Sequence, residues 1–214
     1  SNTLSQQSGS RIYQSLSDYI YTAGGDLSYK FKWLEQNQTL KGGYMLQVKD
    51  RLYDAKLFAN YLPLDNDALR LLPADQIFLP ENFGDGTANK FAFDAIKGNT
   101  FRYLANTILN AGFLQLDNEF TKNLRVVWGL RVENYDQLVG SVKQSDPRHT
   151  RTQVTDFLPG MNATYKINQN TNLRLSGSQT VIRPELRELS FLNLYDFELN
   201  ASVQGNPFLQ RTKI

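Results

Sequence analysis

The sequence predicts an all-β protein built as an antiparallel up-and-down meander. Apolar and polar residues alternate through several segments, which is typical of strands with one apolar and one polar face. Phe, Tyr and Trp supply 12% of the 214 residues, and aromatic side chains favour strands. Short and long links alternate between these segments. This pattern favours strands that pair in an antiparallel way with the strand that follows them in the chain.

The alternation defines five strands directly. They span residues 26–33, 40–52, 124–135, 157–167 and 173–180. In the third segment, Trp128 and Leu130 share one face, whereas Arg125 and Arg131 share the other. Each segment therefore predicts a strand that presents an apolar row to one side and a polar row to the other.

Residues 103–116 carry no charge and fit either a helix or a strand. The segment would extend about 21 Å as a helix and about 46 Å as a strand. A turn-like stretch, LDNEFTKN, separates it from the strand at 124–135. We therefore predict a β-hairpin here and about six long strands in all.

The lengths of the links distinguish between two arrangements of these strands. Short polar links are predicted near 34–39, 121–123 and 168–171. Long links, rich in Pro, Asp, Asn and Gly, are predicted near 55–102, 143–154 and 183–208. A compact sandwich rarely contains loops of about 25–45 residues. Transmembrane β-barrels have short turns on one side, long loops on the other and strands that alternate apolar-out with polar-in. The pattern favours a partial segment of a large transmembrane β-barrel, and a β-sandwich is the alternative.

The composition argues against several classes of function. The sequence has no Cys and a single His, and its formal net charge is +2. Disulfide scaffolds and thiol catalysis are excluded, and no charge excess indicates a nucleic-acid partner. No G-x-S-x-G, P-loop or H-E-x-x-H motif is present. We expect a protein that is not an enzyme and that has no cofactor, no metal centre and no nucleic-acid ligand.

An acidic stretch at 61–98 is the one place where a cation site deserves consideration. Asp65, Asp67 and Asp85 carry the oxygen ligands that calcium prefers. Their spacing does not match an EF-hand loop, which has a glycine at its sixth position and a glutamate at its twelfth. We predict a solvated loop with a short helix near Asp67–Leu72.

The order and content of several segments resemble a known family. The most specific stretch is RPELRELSFLNLYDFELNASVQGNPFLQRTKI at 183–214, and further segments lie at 40–51, 72–83 and 110–135. Together they resemble the β-barrel of bacterial TonB-dependent outer-membrane receptors of the Bacteroidetes type. The resemblance implies an outer-membrane protein that imports a nutrient with energy relayed by TonB. Ligands in the family include iron chelates, cobalamin, oligosaccharides and peptides.

The resemblance also implies a larger whole. Receptors of this kind form plugged barrels of about 22 strands, so about six strands cannot close one. We expect residues 1–214 to be an internal fragment of the barrel domain, without the plug. The implied partners are the TonB complex through that plug, the lipid bilayer and a surface lipoprotein. The alternatives are a passive outer-membrane barrel or adhesin and a soluble carbohydrate-binding β-sandwich.

Two sets of residues are candidates for function in such a receptor. The residues predicted to face ligand on an external loop are Arg183, Glu185, Arg187, Tyr195 and Asp196. The residues predicted to face the lumen are Lys49, Arg51, Arg125, Arg131, Glu133 and Arg174. A structural role is the alternative for both sets, because charged side chains on a loop or sheet also brace it through ion pairs with neighbouring strands.

Overall fold

The computed structural model describes residues 10–33, 35–85, 89–96 and 98–214. The strands are β1 (Arg11–Trp33), β2 (Gln36–Tyr61), β3 (Ala92–Ile96), β4 (Arg102–Glu119), β5 (Leu124–Gly140), β6 (Thr150–Asn168), β7 (Thr171–Ser178), β8 (Val181–Ile182), β9 (Asn193–Asp196), β10 (Ala201–Gln204) and β11 (Thr212–Lys213). The helices are α1 (Asp67–Arg70) and α2 (Leu186–Leu189), with 3-10 turns at Pro80–Asn82 and Asn99–Phe101. No helix in the described part of the chain is both long and apolar enough to cross a membrane. Residues 1–9, where the sequence carries no recognisable targeting signal, lie outside the described residues.

The main sheet confirms the predicted fold class. Its strand order is β1-β2-β4-β5-β6-β7, and the short β3 pairs with β2. The pairs β2–β3, β4–β5, β5–β6 and β6–β7 are antiparallel. Apart from the inserted β3, strands that follow each other in the chain lie next to each other in the sheet, which is the up-and-down arrangement.

The uncharged segment at 103–116 forms a strand and not a helix. It lies within β4, which pairs with β5 from Leu104 opposite Gly140 to Glu119 opposite Arg125. In the connecting turn, the Thr121 hydroxyl accepts a hydrogen bond from the Leu124 amide at 3.0 Å. The predicted hairpin is therefore confirmed.

Several strands extend beyond the bounds that alternation predicts. Strand β1 begins at Arg11 and not at residue 26, β2 continues to Tyr61, and β6 begins at Thr150 inside a predicted link. The predicted links near 55–102 and 183–208 also contain β3, α2 and the β9–β10 hairpin. The β6 extension carries polar residues on both faces, as at Thr152 and Gln153, so the apolar–polar contrast disappears there while backbone pairing continues. In the β2 extension the alternation continues on the opposite face, where Tyr53, Ala55 and Leu57 are buried.

The chain divides into two compact units. Among the described residues, unit 1 comprises those within 10–17, 52–103 and 191–205, and unit 2 comprises those within 18–51, 104–190 and 206–214. The buried apolar residues of unit 1 are Tyr53, Ala55, Leu57, Ala59, Leu62, Phe91, Ala92, Phe101, Tyr103 and Leu192. In unit 2 the buried apolar residues are Ala105, Ala111, Val139, Leu186 and Leu189.

The acidic stretch folds within unit 1 as a loop with one helical turn. Helix α1 spans Asp67–Arg70, where the sequence predicts a short helix, and Asn66 caps it. The carboxylate of Asp65 pairs with the Arg70 guanidinium at 2.7 Å. Further along, the rings of Phe78, Phe83 and Phe91 pack against one another with centroids 5.6–6.3 Å apart. The stretch therefore packs largely against itself.

The link between β5 and β6 is a tightly hydrogen-bonded loop at 141–149. The Asp146 carboxylate accepts hydrogen bonds from the Arg148 amide at 2.9 Å and from its guanidinium at 2.6 Å. His149 donates from Nδ1 to the Ser141 carbonyl at 2.8 Å. Gly140 precedes the loop at φ +99°, where a Cβ would lie 1.9 Å from the Arg148 carbonyl oxygen. The loop therefore closes against the end of β5.

Acid should open this loop. The hydrogen bonds from Arg148 hold the pKa of Asp146 well below its usual range. A carboxyl group whose pKa is depressed by folding stabilises the fold above its unfolded pKa, and it loses that contribution as the pH falls through the folded value. At pH 6, amide hydrogen exchange in 141–149 should be slower in the native protein than in an Asp146→Asn variant. This difference should narrow as the pH falls below about 4.

Comparing the two proteins at each pH cancels the intrinsic pH dependence of exchange. The β9–β10 hairpin, which belongs to unit 1, serves as the internal control and should exchange alike in both proteins. A difference in the loop that stays constant from pH 6 to pH 2 would contradict this assignment.

Candidate functional site

Unit 2 carries a continuous apolar surface on one face of its sheet. The strand register places Leu116 opposite Trp128, and Trp128 opposite Met161. Residues opposite each other on paired strands share a face. We call this surface the belt; it comprises Leu114, Leu116, Leu124, Val126, Trp128, Leu130, Val132, Phe157, Pro159, Met161, Ala163, Tyr165, Leu173 and Leu175. Its larger side chains, such as those of Trp128, Phe157 and Leu175, are exposed.

The belt has the height of a membrane. On β5 it runs from Leu124 to Val132, and a tilted strand needs about 9–11 residues to cross a bilayer. Immediately beyond Val132 the same face becomes polar, because Asn134 donates to the Thr155 hydroxyl at 3.0 Å and Arg151 pairs with Asp136 at 2.7 Å. The turns at 120–123 and 169–170 adjoin the opposite edge of the belt. Short turns at one edge and longer polar extensions at the other match the arrangement of outer-membrane strands.

A hydrogen-bonded network lies on the belt side of the sheet near the short turns. Trp128 donates its indole N–H to Asn118 Oδ1 at 2.8 Å, and Asn118 donates to Gln38 Oε1 at 2.7 Å. Gln38 in turn donates to the Glu119 carbonyl at 2.9 Å. Because Gln38 and Asn118 are buried, these partners remove the cost of burying two amide side chains.

Charged side chains occupy the other face of the sheet. Lys49 and Arg51 on β2 pair with Asp18 on β1 at 3.4 and 2.5 Å. Arg125 on β5 pairs with Asp117 on β4 at 2.5 Å. These three predicted lumen residues thus bind carboxylates on neighbouring strands, as the structural alternative expects. Whether they line a lumen stays a prediction.

The other three predicted lumen residues differ in their surroundings. Arg131 pairs with Glu133 on its own strand at 2.7 Å. Glu133 is buried and also contacts a residue beyond the sheet, described below. Arg174 lies on β7 opposite Thr164 and is exposed.

Two acidic residues, Glu133 and Asp156, lie directly opposite each other on β5 and β6, and four cations surround them. Asp156 is fully buried. We call this group the Asp156 cluster; its members are Arg131, Glu133, Asp156, Arg183, Arg211 and Lys213. The contact distances are 2.8 Å for Arg183–Glu133, 3.4 Å for Arg183–Asp156, 2.8 Å for Arg211–Asp156 and 3.8 Å for Lys213–Asp156. Opposed like charges destabilise a sheet, so the cations are needed to hold this pair.

The chain after β7 brings these cations to the sheet. Strand β8 pairs with β11, and Thr180 exchanges both backbone hydrogen bonds with Ile214 at 2.9 Å. Arg183 and Arg211 follow and precede the paired strands, so they arrive side by side. The Arg183 guanidinium also lies 4.5 Å over the ring of Tyr135. We call residues 183–190 and 206–214, which belong to unit 2, the return segment.

The five predicted ligand residues are divided between the two units. In unit 2, Glu185 and Glu188 form a capping box at the start of α2. Arg187 lies in the same helix, and its carbonyl accepts from the Ser190 hydroxyl at 2.7 Å. In unit 1, Tyr195 bonds Asn200 across the tip of the β9–β10 hairpin. Asp196 accepts from two amides there, at 2.9 and 3.0 Å. Glu185, Tyr195 and Asp196 therefore make hydrogen bonds that stabilise the local backbone. Ligand binding by the five residues stays a prediction.

A cleft lies between the return segment and the polar face of the sheet in unit 2. Its volume is about 420 Å³, within the usual range of small-molecule sites of about 300–1,000 Å³. Its walls include Tyr135, Thr152, Val154, Arg183, Phe208 and Arg211. Within the described ranges, no three His, Asp or Glu side chains come together as metal ligands would.

Residues 81–213 match the model of the Outer membrane protein beta-barrel family. The chain belongs to this family. Membership confirms the predicted barrel fold class and the predicted location in the bacterial outer membrane. No curated protein matches the chain. The match includes the whole return segment except its last residue, and it does not extend to the resembling segments at 40–51 and 72–80.

Membership in this family indicates what the belt contacts. An outer-membrane location does not agree with the soluble carbohydrate-binding alternative, and an exposed apolar belt of membrane height is the surface that lipid contacts. We expect Met161, near the middle of the belt on β6, to face hydrocarbon. Gln153 lies on the same strand and face but beyond the belt edge, which makes it a matched control.

A Met161→Arg substitution should lower the free energy of unfolding in lipid vesicles by about 2–4 kcal/mol, the cost of a cation at the bilayer midplane. Gln153→Arg should cost about 0–1 kcal/mol, as found near membrane interfaces. Denaturant titration of both variants measures the difference. Equal costs would show that the belt does not lie at the depth assigned to it.

The Asp156 cluster should contribute strongly to stability. Asp156→Asn leaves cations facing an uncharged amide in a buried site, and breaking a buried pair in this way costs about 3–5 kcal/mol. The control is Asp117→Asn, which removes a more exposed pair with Arg125 and should cost about 0–1 kcal/mol. Chemical denaturation of both variants tests the ranking, and limited proteolysis should cut the return segment faster only in Asp156→Asn.

Proposed function

We propose that this chain forms part of the barrel wall of a TonB-dependent outer-membrane receptor. In this role it binds a nutrient ligand at the cell surface and contributes to its import. The belt faces lipid, and the polar face with Lys49, Arg51, Arg125, Arg131, Glu133 and Arg174 lines the interior. The receptor works by binding and passage and not by catalysis.

The return segment is the observation that carries this proposal. It folds onto the polar face just beyond the belt, at the end of the sheet away from the short turns. There it makes ion pairs with Glu133 and the fully buried Asp156. Porins keep a water-filled channel in their interior, whereas other outer-membrane barrels fill it with loops or a helix. An interior segment held by buried ion pairs favours the receptor.

The proposal also includes the partners. Energy reaches the barrel from the TonB complex through a plug domain, and a surface lipoprotein assists ligand capture. Both assignments rest on the resemblance of 183–214 and the other quoted segments to TonB-dependent receptors. The third partner is the bilayer, which meets the belt.

Import can be tested in the bacterium that encodes the chain. The gene is deleted, and growth is compared with the parent strain on limiting iron chelates, cobalamin, oligosaccharides or peptides. A nutrient whose use is lost on deletion and restored by the gene identifies the ligand class. Short-term uptake of that nutrient in radiolabelled form is then measured with and without TonB, and with and without a protonophore.

A TonB-dependent receptor should bind the labelled nutrient at the surface in all conditions, but uptake should fall to background without TonB or without the proton gradient. Uptake that continues without TonB and rises linearly with concentration would indicate a passive pore. Surface attachment that changes on deletion, with no nutrient affected, would indicate an adhesin. Either result would overturn the proposal.

A further inference from the structure

We propose that the cleft between the return segment and the polar face binds a soluble ligand with an oxyanion group on an apolar or planar body. The oxyanion group would be held by Arg183 and Arg211, and the body would lie against the apolar wall. The cleft opens on the face opposite the belt, so its ligand comes from solution and not from the surrounding lipid.

The charge of the Asp156 cluster is the first support for this ligand class. Four cations, Arg131, Arg183, Arg211 and Lys213, surround only two carboxylates. Among the described residues the cluster thus has a formal excess of two positive charges. Partly buried charge that lacks a counter-ion is costly, and an incoming oxyanion offsets that cost.

The hydrogen-bond donors of the two arginines are the second support. A guanidinium has five N–H donors in a planar fork suited to carboxylate, phosphate or sulfate. Arg183 uses Nη2 for Glu133 and Asp156, while its Nε is buried and has no hydrogen-bond partner among the described residues. Arg211 uses Nε for Asp156, and 30% of its side chain is exposed. The exposed part of the Arg211 guanidinium therefore keeps donors for a ligand in the cleft, and Arg183 adds its positive charge beside them.

The apolar part of the wall is the third support. Val154 and Leu189 line the cleft, and Phe208, which is 85% exposed, lies at its margin. An exposed phenylalanine beside two guanidinium groups offers a planar apolar contact next to an anion site. This combination fits an amphipathic anion better than a free inorganic ion, which would leave the apolar wall wet.

Binding by the cleft stands independently of import, but the identification of this ligand as the imported cargo rests on the function proposed above. The two can fail separately. Binding is measured on the purified gene product in lipid nanodiscs, without TonB or a proton gradient, whereas import is measured in cells.

The probe is 2-naphthoate, and 2-naphthamide is its uncharged analogue of nearly the same shape. Isothermal titration should show that naphthoate binds about tenfold or more tightly than the amide, since hydrogen bonds to charged groups are roughly twice as strong as neutral ones. Naphthyl phosphate should compete with naphthoate. Equal affinity for the acid and the amide, or no binding of either, would overturn the proposal.

Three variants locate the binding. Arg211→Gln should weaken naphthoate binding about tenfold and affect the amide little, because the lost interaction is with the charged group. Thr152→Phe places a ring at an exposed position in the cleft and should weaken both probes without removing a charge. Arg102→Gln removes an exposed arginine outside the cleft and should leave binding unchanged.

Folding of each variant is checked by its heat-dependent migration in gels. If Arg211→Gln does not fold, the Thr152→Phe variant alone decides. Naphthoate binding that survives Thr152→Phe at native affinity would place the site elsewhere and refute the assignment.

Discussion

The pairing register of β4, β5 and β6 is the constraint on which the other features depend. Side chains alternate between the faces of a strand, so a slip of one residue would move the whole belt to the opposite face. The observed register aligns Trp128 with Met161 on one side and Glu133 with Asp156 on the other. The same alignment that makes an apolar belt also forces two carboxylates together.

Those two carboxylates explain why the chain after β7 returns to the sheet. Glu133 and Asp156 face each other across two hydrogen-bonded strands and cannot separate without loss of pairing. The β8–β11 pair delivers Arg183, Arg211 and Lys213 together, so one short antiparallel contact supplies three of the four cations. The apolar belt and the placement of the return segment are therefore both consequences of one register.

Alternation in the sequence was sufficient to predict the belt, because Trp128, Leu130 and Met161 contrast with polar neighbours on either side. Alternation does not place Asp156 in a strand, because the predicted strand begins at Phe157, where the apolar row begins. The residues before it, such as Gln153 and Thr155, are polar on a face where the belt has ended. The sequence predicts Arg183 as a candidate residue. It does not predict the carboxylates that Arg183 pairs with, Glu133 and Asp156, because these come together only through the pairing of β5 with β6. Proximity in sequence groups Tyr195 and Asp196 with Arg183, yet they belong to the separate β9–β10 hairpin.

The pairing of β8 with β11 ties both ends of the chain between Arg183 and Arg211 to the same place. The entropy of closing such a loop grows slowly, by about 0.6 kcal/mol for each doubling of its length. Insertions at the exposed tip of the β9–β10 hairpin, near Leu199, therefore change the stability of the β8–β11 tether little. Leu186 and Leu189 are buried and tolerate less change. Length variation within this loop is thus confined to the hairpin tip, while the two tethering strands and the barrel wall stay the same.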